Sequence, residues 1–407
     1  MTAAHRVKPY ASLANRNFRL FFSGQLVSSI GTWLHQIAEV WLVLQLTGDG
    51  FAVGAVTAAR FVPILTLGLW AGAIADRHDK RRVLYLTQTL RAASAGILGA
   101  LALSGSATVP VVLVLAALAG IANAIDNPVR RAFIGELVDD TLILNAVSLN
   151  STVMATSRVA GPLLAGVLIA TIGVGWCFIV NAVSYAAVLV ALAAMDQRQF
   201  DRSASPLGPR SVLSGLRYAA STPALAVPLV MVGIVSTFAW NWETLLALHA
   251  TRTFDGGARM YTLMFAVLSV GTLAGALLSS TRSIVGASTL LPMAAAVGAS
   301  MLAVSVVPGL ALTLVTLLMS GFAAATFNTT SNAVVQIAGR GEYHGRVMAM
   351  FSILFIGTKG IGGALAGALM ELLGTRWAIA ISGGSLGVLA AMVGVWSHRI
   401  DHEGPTL

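Results

Sequence analysis

Apolar runs divided by polar, Gly or Pro breaks set out twelve segments, with approximate cores at 18–45, 52–75, 83–104, 109–129, 143–171, 176–195, 223–249, 260–281, 286–306, 309–334, 345–373 and 376–397. A helix needs ~20 mostly apolar residues to cross a bilayer. It is also the one open-chain element that satisfies its own backbone in hydrocarbon. Six segments precede and six follow the only long polar stretch, which begins at Met195 and ends near Ser221. The pattern predicts an all-α membrane protein of twelve spans. Two six-helix bundles are expected at 1–195 and 222–407, joined by a cytoplasmic linker at 196–221.

The two halves repeat each other. Gly161-Pro162-Leu163-Leu164-Ala165-Gly166 in span 5 lies 201 positions before Gly362-Gly363-Ala364-Leu365-Ala366-Gly367 in span 11. Gly173, Trp176 and Ser184 meet Gly374, Trp377 and Ser385 at the same offset. Parallel duplicated halves are a common architecture of secondary transporters, whose solute site lies at the repeat interface. Pro162 removes a backbone donor and bends its helix, while Gly161 and Gly166 are expected to let span 5 press against the other half. Ordinary small-residue packing is the alternative for the whole set: Gly161, Pro162 and Gly166, with Gly362, Gly363 and Gly367.

Composition agrees with a life in lipid: 57% of residues are apolar and 10% charged, with a mean hydropathy of +0.82. The first span is too long for a signal peptide and no small-residue cleavage site follows it, so it is expected to be retained. Cys177 is the only cysteine, which excludes an intrachain disulfide. Neither a metal-ligand cluster nor a phosphate loop with its lysine appears, so no cofactor, no ATP-driven cycle and no enzymatic activity are expected.

Positive charge sets the expected orientation. Arg6, Lys8, Arg16 and Arg19 precede span 1, Arg77, Lys80, Arg81 and Arg82 follow span 2, and Arg130 and Arg131 follow span 4. Arg198, Arg202, Arg210 and Arg217 lie in the central stretch, whereas the loops after spans 1, 3 and 5 hold no Lys or Arg. Both termini are therefore expected in the cytoplasm. Arg252, Arg259 and Arg376 fall on the opposite side, outweighed by Arg282, Arg340, Arg346 and Arg399. The net charge of +9 is then a topology signal, and no nucleic-acid partner is expected.

Between spans 2 and 3 the chain reads Gly72-Ala73-Ile74-Ala75-Asp76-Arg77-His78-Asp79-Lys80-Arg81-Arg82. This resembles the signature of the major facilitator superfamily: Gly, three residues, Asp, Arg, then a basic cluster. Asp79 stands where that signature usually has a small glycine, an enlargement similar to the enterobactin-exporter branch. The resemblance implies the major facilitator fold. It also implies a gate in which Asp76 latches onto the start of span 11, with Gly72, Arg77, Arg81 and Arg82 around it. A topology anchor without gating is the alternative. The run from Arg158 to Gly166 resembles span 5 of exporters that exchange a solute for protons. The arginine such exporters carry in span 4 is absent, since residues 113–125 hold no charge.

Ionisable residues inside spans are costly and mark function. Glu39 in span 1 and Glu243 in span 7 are near-equivalent in the repeat, and Arg158 and Lys359 are equivalent at the 201 offset. Glu39 lies at a depth similar to Arg60 in span 2, so it reads either as a structural partner of Arg60 or as a proton carrier. Glu243 meets no base at matching depth in span 8 and is the stronger proton-coupling candidate, ahead of Glu39 and Asp126. For Asp126 an ordinary pair with Arg130, one helical turn on, is the favoured role. Arg158 and Lys359 either hold neighbouring helices or face an anionic solute.

Trp33, Trp41, Trp240 and Trp242, with Phe238, cluster in spans 1 and 7. They read either as interface anchors or, with Arg60, as the lining of a cavity for a bulky, partly apolar compound. The expected function is export of a hydrophobic or amphipathic small molecule, drug or siderophore, across the cell membrane in exchange for protons. A lipid flippase, a uniporter or a non-transporting sensor on the same scaffold are the alternatives.

Overall fold

A computed structural model describes residues 10–196, 198, 212–279, 289–339 and 343–403. Arg6, Lys8, Arg202, Arg210, Arg282 and Arg340 of the charge pattern lie outside the described residues, as do the surroundings of Gly72 and Asp76.

The apolar runs fold as helices. In the first half these are α1 (Arg16–Thr47), α2 (Gly50–Arg77), α3 (Lys80–Leu103), α4 (Val109–Leu137), α5 (Ile143–Thr171) and α6 (Val174–Ala194). A short helix, α7 (Val212–Ser221), follows at the end of the linker. The second half contains α8 (Pro223–Ala239), α9 (Trp242–Phe254), α10 (Ala258–Ser279), α11 (Leu290–Val306), α12 (Leu310–Ala338), α13 (His344–Leu373) and α14 (Thr375–Glu403). Among the described residues, nine helical stretches are long and apolar enough to cross a membrane, one of them formed by α8 and α9 together.

The repeat is visible in the helices themselves. α4 and α12, α5 and α13, and α6 and α14 each begin 201 positions apart. The turns repeat as well: Gly173 and Gly374, which precede α6 and α14, have φ of +98° and +84°. A side chain resists that left-handed backbone, so glycine at both places follows from the geometry of the turn.

Span 7 departs from expectation. The run 223–249 reads as one helix, but α8 stops at Ala239 and α9 begins at Trp242. Asn241 Nδ2 donates to the carbonyl of Thr237 at 2.6 Å. An unbroken helix would give that carbonyl to the amide of Asn241, so the side chain competes with the ladder at this turn.

By packing, the chain forms two compact units, Met1–Glu39 with Trp70–Gly208, and Val40–Leu69 with Pro209–Leu407. The end of α1, the α1–α2 hairpin and most of α2 thus pack with the helices of the second half. The first unit has an apolar core of Phe18, Phe21, Leu84, Phe133, Leu137 and Leu192 among others, where Phe21 and Phe133 meet edge to face at 5.5 Å.

Candidate functional site

The break in span 7 makes Glu243 a first-turn residue of α9, where the helix dipole favours a carboxylate. Its Oε1 lies 3.0 Å from Nζ of Lys359 on α13, and both residues are buried, at 3% and 8% exposure. Lys359 also stands 4.5 Å over the ring of Phe61 on α2. The hydroxyls of Thr57 and Thr244 share a hydrogen bond of 3.1 Å beside the pair. The cation facing Glu243 comes from span 11, not span 8, and it is the repeat mate of Arg158. Buried Arg60 lies on the same α2 segment, one residue before Phe61.

Glycines bring α2 and α13 into contact in this unit. A Cβ on Gly50 would stand 2.6 Å from the carbonyl oxygen of Gly367, and one on Gly54 would stand 2.8 Å from that of Gly363. At the hairpin end the contact is closed by charge. Glu371 Oε2 accepts from the amide of Gly50 at 2.8 Å and from Arg252 Nη2 at 2.6 Å. The same Nη2 donates to the carbonyl of Gly48 at 2.8 Å, and Arg252 Nη1 to that of Met370 at 3.2 Å.

In the first unit, Asp126 on α4 is fully buried. Its Oδ1 accepts from Thr87 Oγ1 at 3.1 Å and Gln88 Nε2 at 2.8 Å, both on α3. Its Oδ2 lies 3.6 Å from Arg130 and 3.7 Å from Arg91. The expected pair with Arg130 is thus present, joined by a second guanidinium. Arg91 also donates to Thr32 Oγ1 at 3.3 Å and stacks 4.7 Å over Tyr185, while Arg130 donates to Gln25 Oε1 at 3.0 Å. One carboxylate therefore ties α1, α3, α4 and α6 together.

Gly161 of α5 packs on α1 of its own unit, against Trp33, the carbonyl of Ile30 and the amide of Leu34. This corrects the expectation that Gly161 presses on the other half. Its repeat mate Gly362 does the same on α8, against Thr237 and Asn241. Arg158, one turn before Gly161, stands 5.1 Å over the Trp33 ring. Glu39 belongs to the first unit, where His35 Nε2 is 3.7 Å away, and Arg60 to the second. Pro162 lies inside α5 without ending it.

The tryptophans divide. Trp41 stacks on Tyr261 at 6.0 Å and Trp242 is buried, so both pack inside the protein. Trp240 meets Phe355 edge to face at 5.0 Å, and Phe238, like Trp33, is half-buried.

Of the loop motif, Arg81 caps the end of α6, donating to the carbonyl of Leu192 through Nε at 2.9 Å. Asp79 caps α3 by accepting from the amide of Arg82 at 3.0 Å, which gives a structural reason for the acid that replaces a glycine there. Arg77 ends α2 exposed. Sequence reasoning passed over Arg91, Glu371 and Gln88, and read Arg252 only as a topology charge. Arg91 had a signal, since it lies eleven residues into a 24-residue helix.

These helices and buried charges define a multi-pass membrane protein, and the family that its sequence matches places it among membrane transporters of the major facilitator type. Residues 7–403 match the family described as transmembrane secretion effector, and the chain belongs to that family. It is 27% identical over 395 residues to the multidrug efflux pump Tap of Mycolicibacterium fortuitum, covering 92% of this chain and 95% of that one. It is 30% identical over 256 residues to the staphyloferrin A transporter of Staphylococcus aureus (strain NCTC 8325 / PS 47), spanning 62% of this chain and 64% of that protein's length. In fold it is similar to a POT family transporter solved with a thioalcohol-conjugated peptide, with a TM-score of 0.76 at 12% identity, covering 95% and 96% of the two chains. A bacterial homologue of the lysosomal transporter Spinster, inward-facing and unoccupied, gives a TM-score of 0.73 at 14% identity over 94% and 97%.

Proposed function

We propose that this transporter exports a hydrophobic or amphipathic small molecule of drug or siderophore type from the cytoplasm, by alternating access and in exchange for protons. The chain then has twelve spans, with both termini in the cytoplasm. The observation that carries the proposal is the buried pair of Glu243 and Lys359 at 3.0 Å, placed at the break in span 7. A proton on Glu243 cancels the attraction that holds α9 to α13, and its loss restores it. The opened turn at Thr237–Asn241 supplies a joint at which α9 moves without unfolding a continuous helix. Arg252 and Glu371 close the hairpin end of the same contact, so a proton on Glu243 bears on a seal that must open and close in each cycle. The efflux pump and siderophore transporter among the relatives support the choice of cargo.

The test is purified protein in proteoliposomes with an interior pH dye, given inward gradients of siderophores and of cationic and macrolide drugs. Solute-dependent proton movement that Glu243→Gln abolishes is the expected result. Solute flux without proton movement would replace antiport by a uniporter or flippase, and the absence of any flux would remove the export reading.

A further inference from the structure

Tyr261, in the first turn of α10, is fully buried, and its hydroxyl has no hydrogen-bond partner among the described residues. Its ring stacks on Trp41 at 6.0 Å with 19° between the planes, and the buried indole N–H of Trp41 is without an acceptor among them as well. A polar group enclosed without a partner is costly, and phenylalanine would fill the same space without that cost. The hydroxyl therefore calls for a partner in another arrangement of the helices.

Glu243 supplies that partner. α9 and α10 belong to one unit and pack together across the loop at 255–257. Glu243 lies eleven residues before the end of α9 and Tyr261 three after the start of α10, so the phenol is on the loop side of the carboxylate. The charges of Glu243 and Arg60 both act on it. In the paired state Lys359 holds Glu243 at 3.0 Å, and the hydroxyls of Thr57 and Thr244 beside the pair are bonded to each other at 3.1 Å. Protonation ends the attraction to Lys359 and leaves a carboxylic acid whose O–H needs an acceptor. A phenol oxygen accepts as well as donates, and that of Tyr261 is uncommitted. The side-chain oxygen of Asn241 is also unspent, but residues two apart on a helix do not face each other.

We propose that Glu243 has a second place in the transport cycle: protonated and released from Lys359, its carboxyl donates to Tyr261 Oη, while the stack on Trp41 holds the phenol ring in position. This rests on the exchange reading above and deepens it. Tyr261 is a positioning residue and keeps its own proton; the proton on Glu243 comes from water on one side of the membrane and leaves to water on the other. The other charges of the unit are placed elsewhere or act alike in both states. Lys359 on α13 and Arg60 on α2 are the cations near the site. His249 of α9 meets Thr253 through Nδ1 at 3.0 Å, with the charge of Arg376 on α14 acting on it, and Arg252 is bonded to Glu371. Arg259 of α10 is exposed, and α8 holds no ionisable residue. Because the phenol bonds the protonated form alone, removing its hydroxyl weakens proton binding and leaves the paired state intact.

Infrared difference spectra of the purified full chain follow the carboxyl C=O band of protonated Glu243, assigned by its loss in Glu243→Gln, and need no solute. We expect the pH at which half of Glu243 is protonated to fall by about one unit in Tyr261→Phe, a roughly tenfold loss of proton affinity. It should stay in place in Tyr185→Phe of the first unit and in Asn241→Leu. The melting temperature of Tyr261→Phe, taken at a pH where Glu243 is paired, should be unchanged or higher, since no bond of that state is lost. An unmoved or raised midpoint in Tyr261→Phe, an equal fall in Tyr185→Phe or Asn241→Leu, or a lowered melting temperature would overturn the inference and leave the exchange reading standing. A Glu243 that takes up no proton at any pH where the protein stays folded would overturn both.

Discussion

Lys359 reaches Glu243 at 3.0 Å across the join of α9 and α13, and neither side chain has appreciable access to solvent. Removing one partner of such a pair leaves a buried charge, which costs roughly 3–5 kcal/mol. Lys359→Met is therefore expected to lower thermal stability in detergent strongly. The double variant Glu243→Gln with Lys359→Met regains most of the loss, since two neutral groups replace the pair. Proton-coupled flux stays absent in both. If the double variant were no more stable than the single one, the two residues would not act as a pair.

Glycines of α13 and α14 are expected to divide sharply when enlarged. A Cβ on Gly367 would press on the backbone of Gly50 and stand 2.9 Å from the amide nitrogen of Gly54, and backbone yields little. Gly367→Val is expected to cost about 1–3 kcal/mol through overpacking. Gly387 on α14 has nothing within 4 Å of such an atom. There, Gly387→Ala is expected to raise stability by up to ~1 kcal/mol through helix propensity. Melting curves of the two purified variants beside the parent protein make the comparison, and equal losses would mean that the glycines matter for flexibility instead of approach.

The contrast between these glycines also marks how far the chain could be read before its structure. The spans were legible because a bilayer demands long apolar runs, and the duplication because its two copies still share Gly-rich stretches in register. Glu243, Lys359, Asp126 and Arg158 were legible because a charge inside an apolar run has few structural reasons to be there. Their partners were not. Nothing along the chain distinguishes Lys359 from Arg60 as the base that meets Glu243, because the choice depends on which helices pack. The break at Asn241 was hidden for a related reason: asparagine is tolerated in a span until its side chain takes a carbonyl of its own helix. Gly161 misled because a small residue announces close approach without naming the neighbour.

Arg252 and Glu371 close the α1–α2 hairpin against α13 and are each about a third exposed, at 32%. An exposed pair of this kind contributes about 1 kcal/mol or less, and salt weakens it further. Arg252→Gln should leave the melting temperature almost unchanged and loosen the hairpin. Because Cys177 is the only native cysteine and is buried, Thr57→Cys offers a single reporter beneath the closure. Maleimide labelling of that cysteine is expected to accelerate several-fold when Arg252→Gln is added, and in the parent background to accelerate with salt. A labelling rate indifferent to both changes would mean that the ion pair does not hold the hairpin shut.

Asp126 distinguishes a scaffold from a proton carrier. Two guanidiniums at 3.6 and 3.7 Å and two hydrogen bonds from Thr87 and Gln88 surround one carboxylate. A group so committed joins four helices, and its removal sets Arg91 against Arg130 with no counter-charge between them. Asp126→Asn is expected to cost roughly 3–5 kcal/mol, the penalty of a buried charge stripped of its partner. Adding Arg91→Gln should return part of that loss, as residues in one network are coupled. A proton carrier would behave in the opposite way: Asp126→Asn would keep its melting temperature and lose only the pH dependence of flux. Thermal stability of the two variants, measured beside solute flux at two external pH values, separates the roles.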